Sequence, residues 1–243
     1  MNLIIDVGNT FVKLAVFQGD EMVSKISCEI KDFEKKINSI LKSHKKINKS
    51  IISSVGFLNS KQFDLVKNAL PTLILDSKTK LPFDNLYKTP KTLGVDRIAL
   101  VCASVKEYPN NDVLIIDAGT CITYDFITQK NEYLGGAISP GIRLRYKTLN
   151  NLTANLPLLE TEQPENIIGD STNNAIHSGV VNGVLAEIDG VISQYKLKFP
   201  HLTIILTGGD ANFLSKQLKS SIFANSNFLL LGLNYILQFN LNE

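Results

Sequence analysis

The sequence predicts an α/β fold built as two similar halves with a cleft between them. Three observations carry that expectation. Leu3-Ile4-Ile5-Asp6-Val7-Gly8 recurs as Leu114-Ile115-Ile116-Asp117-Ala118-Gly119, identical at five of six positions. Each copy is a continuous apolar run, which suits a central strand covered on both faces, and ends in an acid followed by a glycine turn. Each then alternates, with Val12, Leu14 and Val16 on one face after the first turn and Ile122, Tyr124 and Phe126 on one face after the second. Each copy therefore predicts a hairpin whose turn displays an Asp, glycine amides and a Thr hydroxyl. One such turn is an ordinary hairpin of turn-forming residues. Two copies, each opening one half of the chain, point to duplicated domains over residues 1–110 and 111–243.

The other elements follow in order. Residues 23–30 predict a third strand. Residues 32–44 predict a helix with Phe33, Ile37, Ile40 and Leu41 on one side. The lysines around it read as a solvated face. Residues 50–55 predict a strand, 60–70 a helix stopped by Pro71, 73–75 a short strand and 76–91 a loop. Ile98, Val101, Cys102 and Val105 sit at helical spacing within a helix over 94–107. In the second half, residues 132–138 predict a strand and 141–152 a helix. Residues 170–199 predict a long amphipathic helix, broken near Gly190 and broad enough for a subunit interface. Residues 202–206 predict a strand that ends in Thr207-Gly208-Gly209-Asp210, before another helix.

Composition narrows the function. The chain has 243 residues, 44% of them hydrophobic, with 25 basic against 23 acidic side chains. That near balance gives no general attraction to nucleic acid or an acidic membrane. The longest apolar candidate, residues 228–237, is too short for a membrane span and contains Gly232 and Asn234. The start, Met-Asn-Leu-Ile-Ile-Asp, lacks the basic opening of a signal peptide, so a cytoplasmic location is expected. Cys28, Cys102 and Cys121 are far apart and are expected as reduced thiols packed in a core. His44, His177 and His201 are scattered and pair with no cysteine, which argues against a zinc site.

Three glycine turns follow apolar strands, at Gly8, Gly119 and Gly208. Glycine lets successive backbone amides approach an anion and form a concavity for it. Thr10 and Thr120 add hydroxyl donors. Asp6 and Asp117 would repel a phosphate directly, so they make sense with a cation between carboxylate and phosphate. Carboxylate, Mg²⁺ and glycine turn together form a phosphoryl-transfer arrangement. The chain has neither the G-x-x-x-x-G-K-[ST] loop nor the G-x-G-x-x-G fingerprint of the other common nucleotide folds.

Asp6-Val7-Gly8-Asn9-Thr10, Gly94-Val95-Asp96-Arg97, Asp117-Ala118-Gly119-Thr120 and Gly135-Gly136…Pro140-Gly141 together resemble the motifs of type III pantothenate kinases, in that family's order. The likeness runs from Asp6 to Gly209. It implies two RNase H-like domains of the acetate and sugar kinase, Hsp70 and actin superfamily, with an interdomain cleft. It also implies ATP-dependent phosphorylation of pantothenate to 4'-phosphopantothenate, the first step of coenzyme A synthesis. Mg²⁺, a monovalent cation (K⁺ or NH₄⁺) and a homodimer are implied as well.

The resemblance carries ATP contacts to Asp6, Val7, Gly8, Asn9, Thr10, Phe11, Val12 and Lys13, and to Thr120. Lys13 can offset phosphate charge or can be a surface lysine on a strand. Asp96 becomes the general base that accepts the alcohol proton as it attacks phosphorus. From the residues alone, Asp96 reads as a carboxylate at a helix start. Arg97 could clamp an oxyanion, including the pantothenate carboxylate, through two parallel bonds. The resemblance places Tyr87, Gly94, Val95, Asp96, Arg97 and Thr172 at the substrate, and makes Asp117 the ligand of the monovalent cation. Without it, Tyr87 is a loop aromatic and Thr172 a helix cap. Gly208 and Gly209 are expected near the adenosine. Arg143 and Arg145 either contact phosphate or face solvent. The rival readings are another kinase or phosphatase of the superfamily, and a nucleotide-binding regulator without catalysis.

Overall fold

Both repeated runs form central strands, each at the heart of its own sheet. The computed structural model describes residues 1–240, and the chain divides into two units. In chain order the first unit contains β1 (Asn2–Val7), β2 (Val12–Gln18), β3 (Glu21–Cys28), α1 (Phe33–Ser43), β4 (Lys49–Ser54), α2 (Ser60–Ala69), β5 (Thr72–Ile74), β6 (Asp84–Asn85) and α3 (Val95–Glu107). The second contains β7 (Val113–Ala118), β8 (Cys121–Ile127), most of β9 (Glu132–Pro140), α4 (Ile142–Asn151), α5 (Thr172–His177), α6 (Gly183–Lys198), β10 (Thr203–Thr207), α7 (Ala211–Leu214) and β11 (Phe223–Ala224). The last helix, α8 (Phe228–Phe239), returns to the first unit.

The first unit's sheet has the order β3-β2-β1-β4-β5. β1 is antiparallel to β2 and parallel to β4. Leu3, Ile5, Val7, Leu14, Val16 and Ile52 turn one face towards Phe33, Ile37 and Ile40 of α1 and Val66 of α2. Asn59 and Gln62 start α2 with a reciprocal pair of 3.0 Å hydrogen bonds. α8 packs on α3, β1 and β4. Gly232 permits the α3–α8 approach, because a Cβ there would run into the Ala99 carbonyl. Asn2 donates to Asn234 at 2.7 Å, which satisfies a polar pair inside that layer. The sequence division at residue 110 had placed the C-terminal run with the second half. Its apolar residues are instead buried against α3 and β1.

The second unit's strands run β11-β10-β7-β8-β9, and the two-residue β6 pairs with the opening of β9 at Glu132 and Tyr133. Leu114, Ile116, Ala118, Ile122, Tyr124 and Phe126 face Ile176, Val180, Val184, Ile188 and Ile192 in one core. Residues 172–198 are long and apolar enough to cross a membrane by length and composition, yet this stripe is the unit's core. The expected break at Gly190 is absent. The irregularity is a π-helical turn over residues 178–182, where Asn182 donates to the Ser178 hydroxyl at 3.1 Å. A lone glycine weakens a helix without breaking it, and Gly190 sits inside α6.

Cys28 and Cys102 are buried as expected, whereas Cys121 is exposed. It opens β8 directly after the second turn, where the strand has no cover.

Candidate active site

The first turn comprises residues 8–11, closed by the Gly8 amide donating to the Phe11 carbonyl at 3.1 Å. Asn9, Thr10 and Phe11 are exposed, while Val7 and Val12 are buried at its base. Asp6 is only 4% exposed and pairs across the strands with Lys13. The Lys13 ammonium lies 3.5 Å from Asp6 Oδ2. Burial raises the Asp6 carboxyl to about 6, with Lys13 pulling it down and the charge of Asp96 pushing it up. The structure thus brings Asp6, Lys13 and Asp96 into one electrostatic cluster.

A segment that sequence reasoning passed over supports this turn. Val55 and Gly56, just after β4, both donate their amides to the Val7 carbonyl, at 3.1 and 3.0 Å. A Cβ on Gly56 would strike the Gly8 carbonyl, so only glycine lets the two backbones approach this closely. The signal in the sequence was Ser53-Ser54-Val55-Gly56, a polar and glycine ending on an apolar strand.

Asp96 is the second residue of α3, and its Oδ1 accepts the Arg97 amide at 2.9 Å. Gly94 lies against that carboxylate, where any side chain would collide with Oδ1. Arg97 is buried, with its guanidinium 5.6 Å from the Tyr87 ring centre. Tyr87 in turn lies 6.1 Å from Tyr133 and is anchored by its amide to Asn85 Oδ1 at 3.1 Å. Tyr87, Gly94, Asp96 and Arg97 thus form one contiguous cluster in the first unit.

In the second unit, Gly119 donates to the Cys121 carbonyl at 2.9 Å, which closes a shorter turn of residues 119–121. Asp117 is half-buried at its base and pairs with Thr123 on one side and Thr207 on the other. Gly208, at φ +97°, presses on the Ala118 carbonyl and the Asp117 carboxylate, which no residue with a side chain could do. The Asp210 amide donates to the same Ala118 carbonyl at 3.0 Å. Burial raises the Asp210 carboxyl, opposed by Arg143. Thr120 is exposed, as is Gly209. Gly141 donates to the Thr120 carbonyl at 3.0 Å and lies flush against the Gly119 and Thr120 carbonyls.

Arg143 and Arg145 separate in role. Arg143 pairs with exposed Glu160 at 3.3 Å. Arg145 donates to the Pro140 carbonyl at 2.9 Å, to the Ser139 hydroxyl at 3.1 Å and to Glu187, which also accepts from Tyr124 at 2.9 Å. Burial opposes ionisation of Glu187, but bonds from Arg145, Ser139 and Tyr124 leave it below the ordinary range. Arg145 therefore braces the Pro140-Gly141 bend. That bend borders an apolar groove of about 750 Å³ whose walls include Pro140, Leu149, Leu156, Thr172, Ile176 and Val180. Thr172 starts α5 behind Ser171, whose hydroxyl accepts the Asn174 amide at 3.3 Å. Ser171, and not Thr172, is thus the helix cap.

The sequence pattern of the type III pantothenate kinase family matches residues 2–194, which takes in both hairpins and the Asp96 helix. The chain belongs to the type III pantothenate kinase family. A type III pantothenate kinase of Christiangramia forsetii is 54% identical over 99% of both chains. One from Flavobacterium johnsoniae is 49% identical over the full length of both. Among solved structures, a Campylobacter jejuni protein carrying a Baf family transcriptional activator name superposes with a TM-score of 0.66 at 24% identity, over 99% of this chain and 100% of that one. A ROK family glucokinase of Streptomyces griseus superposes with a TM-score of 0.54 at 11% identity, over 100% and 99%. At those identities the likeness speaks of fold alone. It is the two-sheet α/β fold shared with sugar kinases, as the resemblance to the actin-like superfamily implied.

Proposed function

We propose that this chain performs its family's reaction, transfer of the γ-phosphoryl of ATP to the primary alcohol of pantothenate, giving 4'-phosphopantothenate and ADP. The observation that carries the reading is the pair of carboxylates in the first unit, where the charge of Asp96 acts on a buried Asp6 beside Lys13. Asp96 stands at the start of α3 between a bare glycine and a buried arginine, and accepts the proton as the substrate oxygen attacks phosphorus. Arg97 and Tyr87 bind pantothenate, with the guanidinium held by the tyrosine face so that its fork is presented in one orientation. Gly94 and Val95 shape the backbone around the same substrate, and Thr172 is the candidate substrate contact of the second unit.

Asp6 through Lys13 are the candidate phosphate contacts of the first unit, and Thr120 is the candidate nucleotide contact of the second. Their support is geometric, since exposed Asn9, Thr10 and Thr120 offer side-chain donors on turns that the Gly8 and Gly119 amides hold closed. Among the described residues no three His, Cys, Asp or Glu side chains gather into a metal cage. Mg²⁺ fits this donor set, because it dehydrates reluctantly and is commonly shared between one carboxylate and phosphate oxygens. Asp6 would hold it, and it would neutralise charge on the transferring group. Asp117 would hold the monovalent cation. Exposed Leu152, Leu158, Ile167 and Ile168 on the segment that follows α4 support a homodimer, and the cytoplasm is the proposed location.

The test is ADP release by the purified protein on adding pantothenate, with and without K⁺. Turnover is expected only with pantothenate, and K⁺ is expected to raise it. Asp96→Asn should lower kcat by roughly a hundredfold or more, with the fold intact by circular dichroism. Wild-type speed in that variant would remove Asp96 from its role. Light scattering checks the dimer, and a monomer at micromolar concentration would exclude it.

A further inference from the structure

The strand beside Asp6 carries a hydroxyl that no other described residue engages. Ser53 is the fifth residue of β4 and lies in register with Asp6 of β1, which in turn pairs with Lys13 of β2. In-register residues of neighbouring strands share a face, so Lys13, Asp6 and Ser53 form a row across three adjacent strands. Ser53 is fully buried, and its hydroxyl has no hydrogen-bond partner among the described residues. The serines on either side differ. Ser50 exchanges a 2.8 Å bond with the Thr72 hydroxyl, and Ser54 donates to the Gly56 carbonyl at 3.0 Å. Burying a hydroxyl with no partner is unfavourable, and a central strand would hold an alanine at lower cost.

We propose that Ser53 is a positioning residue that donates a hydrogen bond to the Asp6 carboxylate when nucleotide is bound. This rests on the phosphate-binding reading of the first turn. The ammonium of Lys13 lies 3.5 Å from Asp6 and is a third exposed, so it can swing towards an incoming phosphate. That motion takes from Asp6 its only cationic neighbour on the row. Ser53 stands on the opposite side, on a rigid strand, and replaces the lost interaction without moving the backbone. Asp6 then keeps its orientation towards the Mg²⁺ it would share with the phosphates, while Lys13 offsets their charge.

The experiment compares wild type, Ser53→Ala and Ser53→Thr, each as the full chain. Melting temperature without nucleotide is one readout, and the dissociation constant for ATP with Mg²⁺ by calorimetry is another. Separate KM values for ATP and pantothenate complete the set. Ser53→Ala is expected to melt at or above the wild-type temperature, because a bare buried hydroxyl has gone. It should also bind ATP roughly tenfold more weakly, with KM for pantothenate unchanged. Ser53→Thr, which keeps the hydroxyl on a β-branched side chain suited to a strand, should return ATP affinity to within about twofold of wild type. A Ser53→Ala protein that binds ATP like wild type overturns the proposal. So does one that melts lower while both KM values rise together, since that is the mark of a hydroxyl needed for packing. A wild-type protein that binds no ATP would overturn the phosphate-binding reading itself, which keeps the two failures distinct.

Discussion

The two acidic hairpins share a hexapeptide but not an environment. In the first unit the acid is sealed, faces a lysine on the returning strand and feels a second carboxylate. In the second unit the acid is half-buried, faces Thr123 and lies under Gly208. The turns differ too, with residues 8–11 in one and residues 119–121 in the other. What they keep is a glycine from a distant segment pressed on the turn's carbonyls, Gly56 on Gly8 in one case and Gly141 on Gly119 and Thr120 in the other. The backbone frame is thus repeated, while one residue across the ladder sets the charge. The first turn has a lysine opposite its aspartate. The second turn has a threonine opposite its aspartate.

The sharpest break in this comparison is a pair of isosteric variants. Asp6→Asn is expected to lower kcat/KM by roughly a hundredfold or more, as loss of a preorganised charge in a buried site does. Asp117→Asn should fall mainly in its response to K⁺, read from activity titrated against the cation. Equal losses with equal K⁺ dependence would make the two turns interchangeable.

The next effect is on stability against pH. Asp6 has its carboxyl raised from 3.8 to about 6, so between those values the folded chain holds a proton that the unfolded chain has lost. Fewer protons on the unfolded side means that stability falls as pH rises through that window. The full shift corresponds to about 3 kcal/mol, using ~1.4 kcal/mol per unit. Asp6→Asn should flatten the dependence of melting temperature on pH between 4 and 6, and should melt above wild type at pH 7.

The two clamping glycines come third. Gly56→Ala and Gly141→Ala force a Cβ into backbone carbonyls, and each should cost about 1–3 kcal/mol by denaturant titration. Each should also raise KM for ATP more than KM for pantothenate. A neutral result at one site alone would show that only the other turn is rigidly held. The smallest effect is Thr123→Val. The Thr123 hydroxyl is buried without a partner among the described residues, so the variant should gain about 1 kcal/mol, seen as a small rise in melting temperature.

Much of this was legible in advance because periodicity reports what a strand or helix buries. The repeated apolar runs, the alternation after each turn and the stripe from Ile176 to Ile188 all correspond to buried faces. The motifs around Asp6, Asp96 and Asp117 pointed to the same positions that the fold sets at strand ends and a helix start. What sequence concealed depended on partners distant along the chain. Nothing local tells that Gly56 must meet Gly8, that Arg145 will brace Pro140 through Glu187, or that Ser53 lies beside Asp6. The π-helical turn at residues 178–182 contains Gly179, which as a lone helical glycine is no stronger a signal than Gly190. The exposure of Cys121 follows from its place at a strand's first residue, which composition does not reveal.

The return of α8 to the first sheet has a consequence for how the chain is made. Ile4, Ala15, Phe17 and Ile51 lie on the side of the sheet where α3 and α8 pack, and α8 is synthesised only after every residue of the second unit. On the ribosome the amino-terminal half therefore waits, partly uncovered, while its carboxy-terminal neighbour can already be complete. Nonsense mutations near codon 228 should for that reason yield a protein whose damage reaches Ile4, Ala15 and Phe17, more than two hundred residues upstream of the stop.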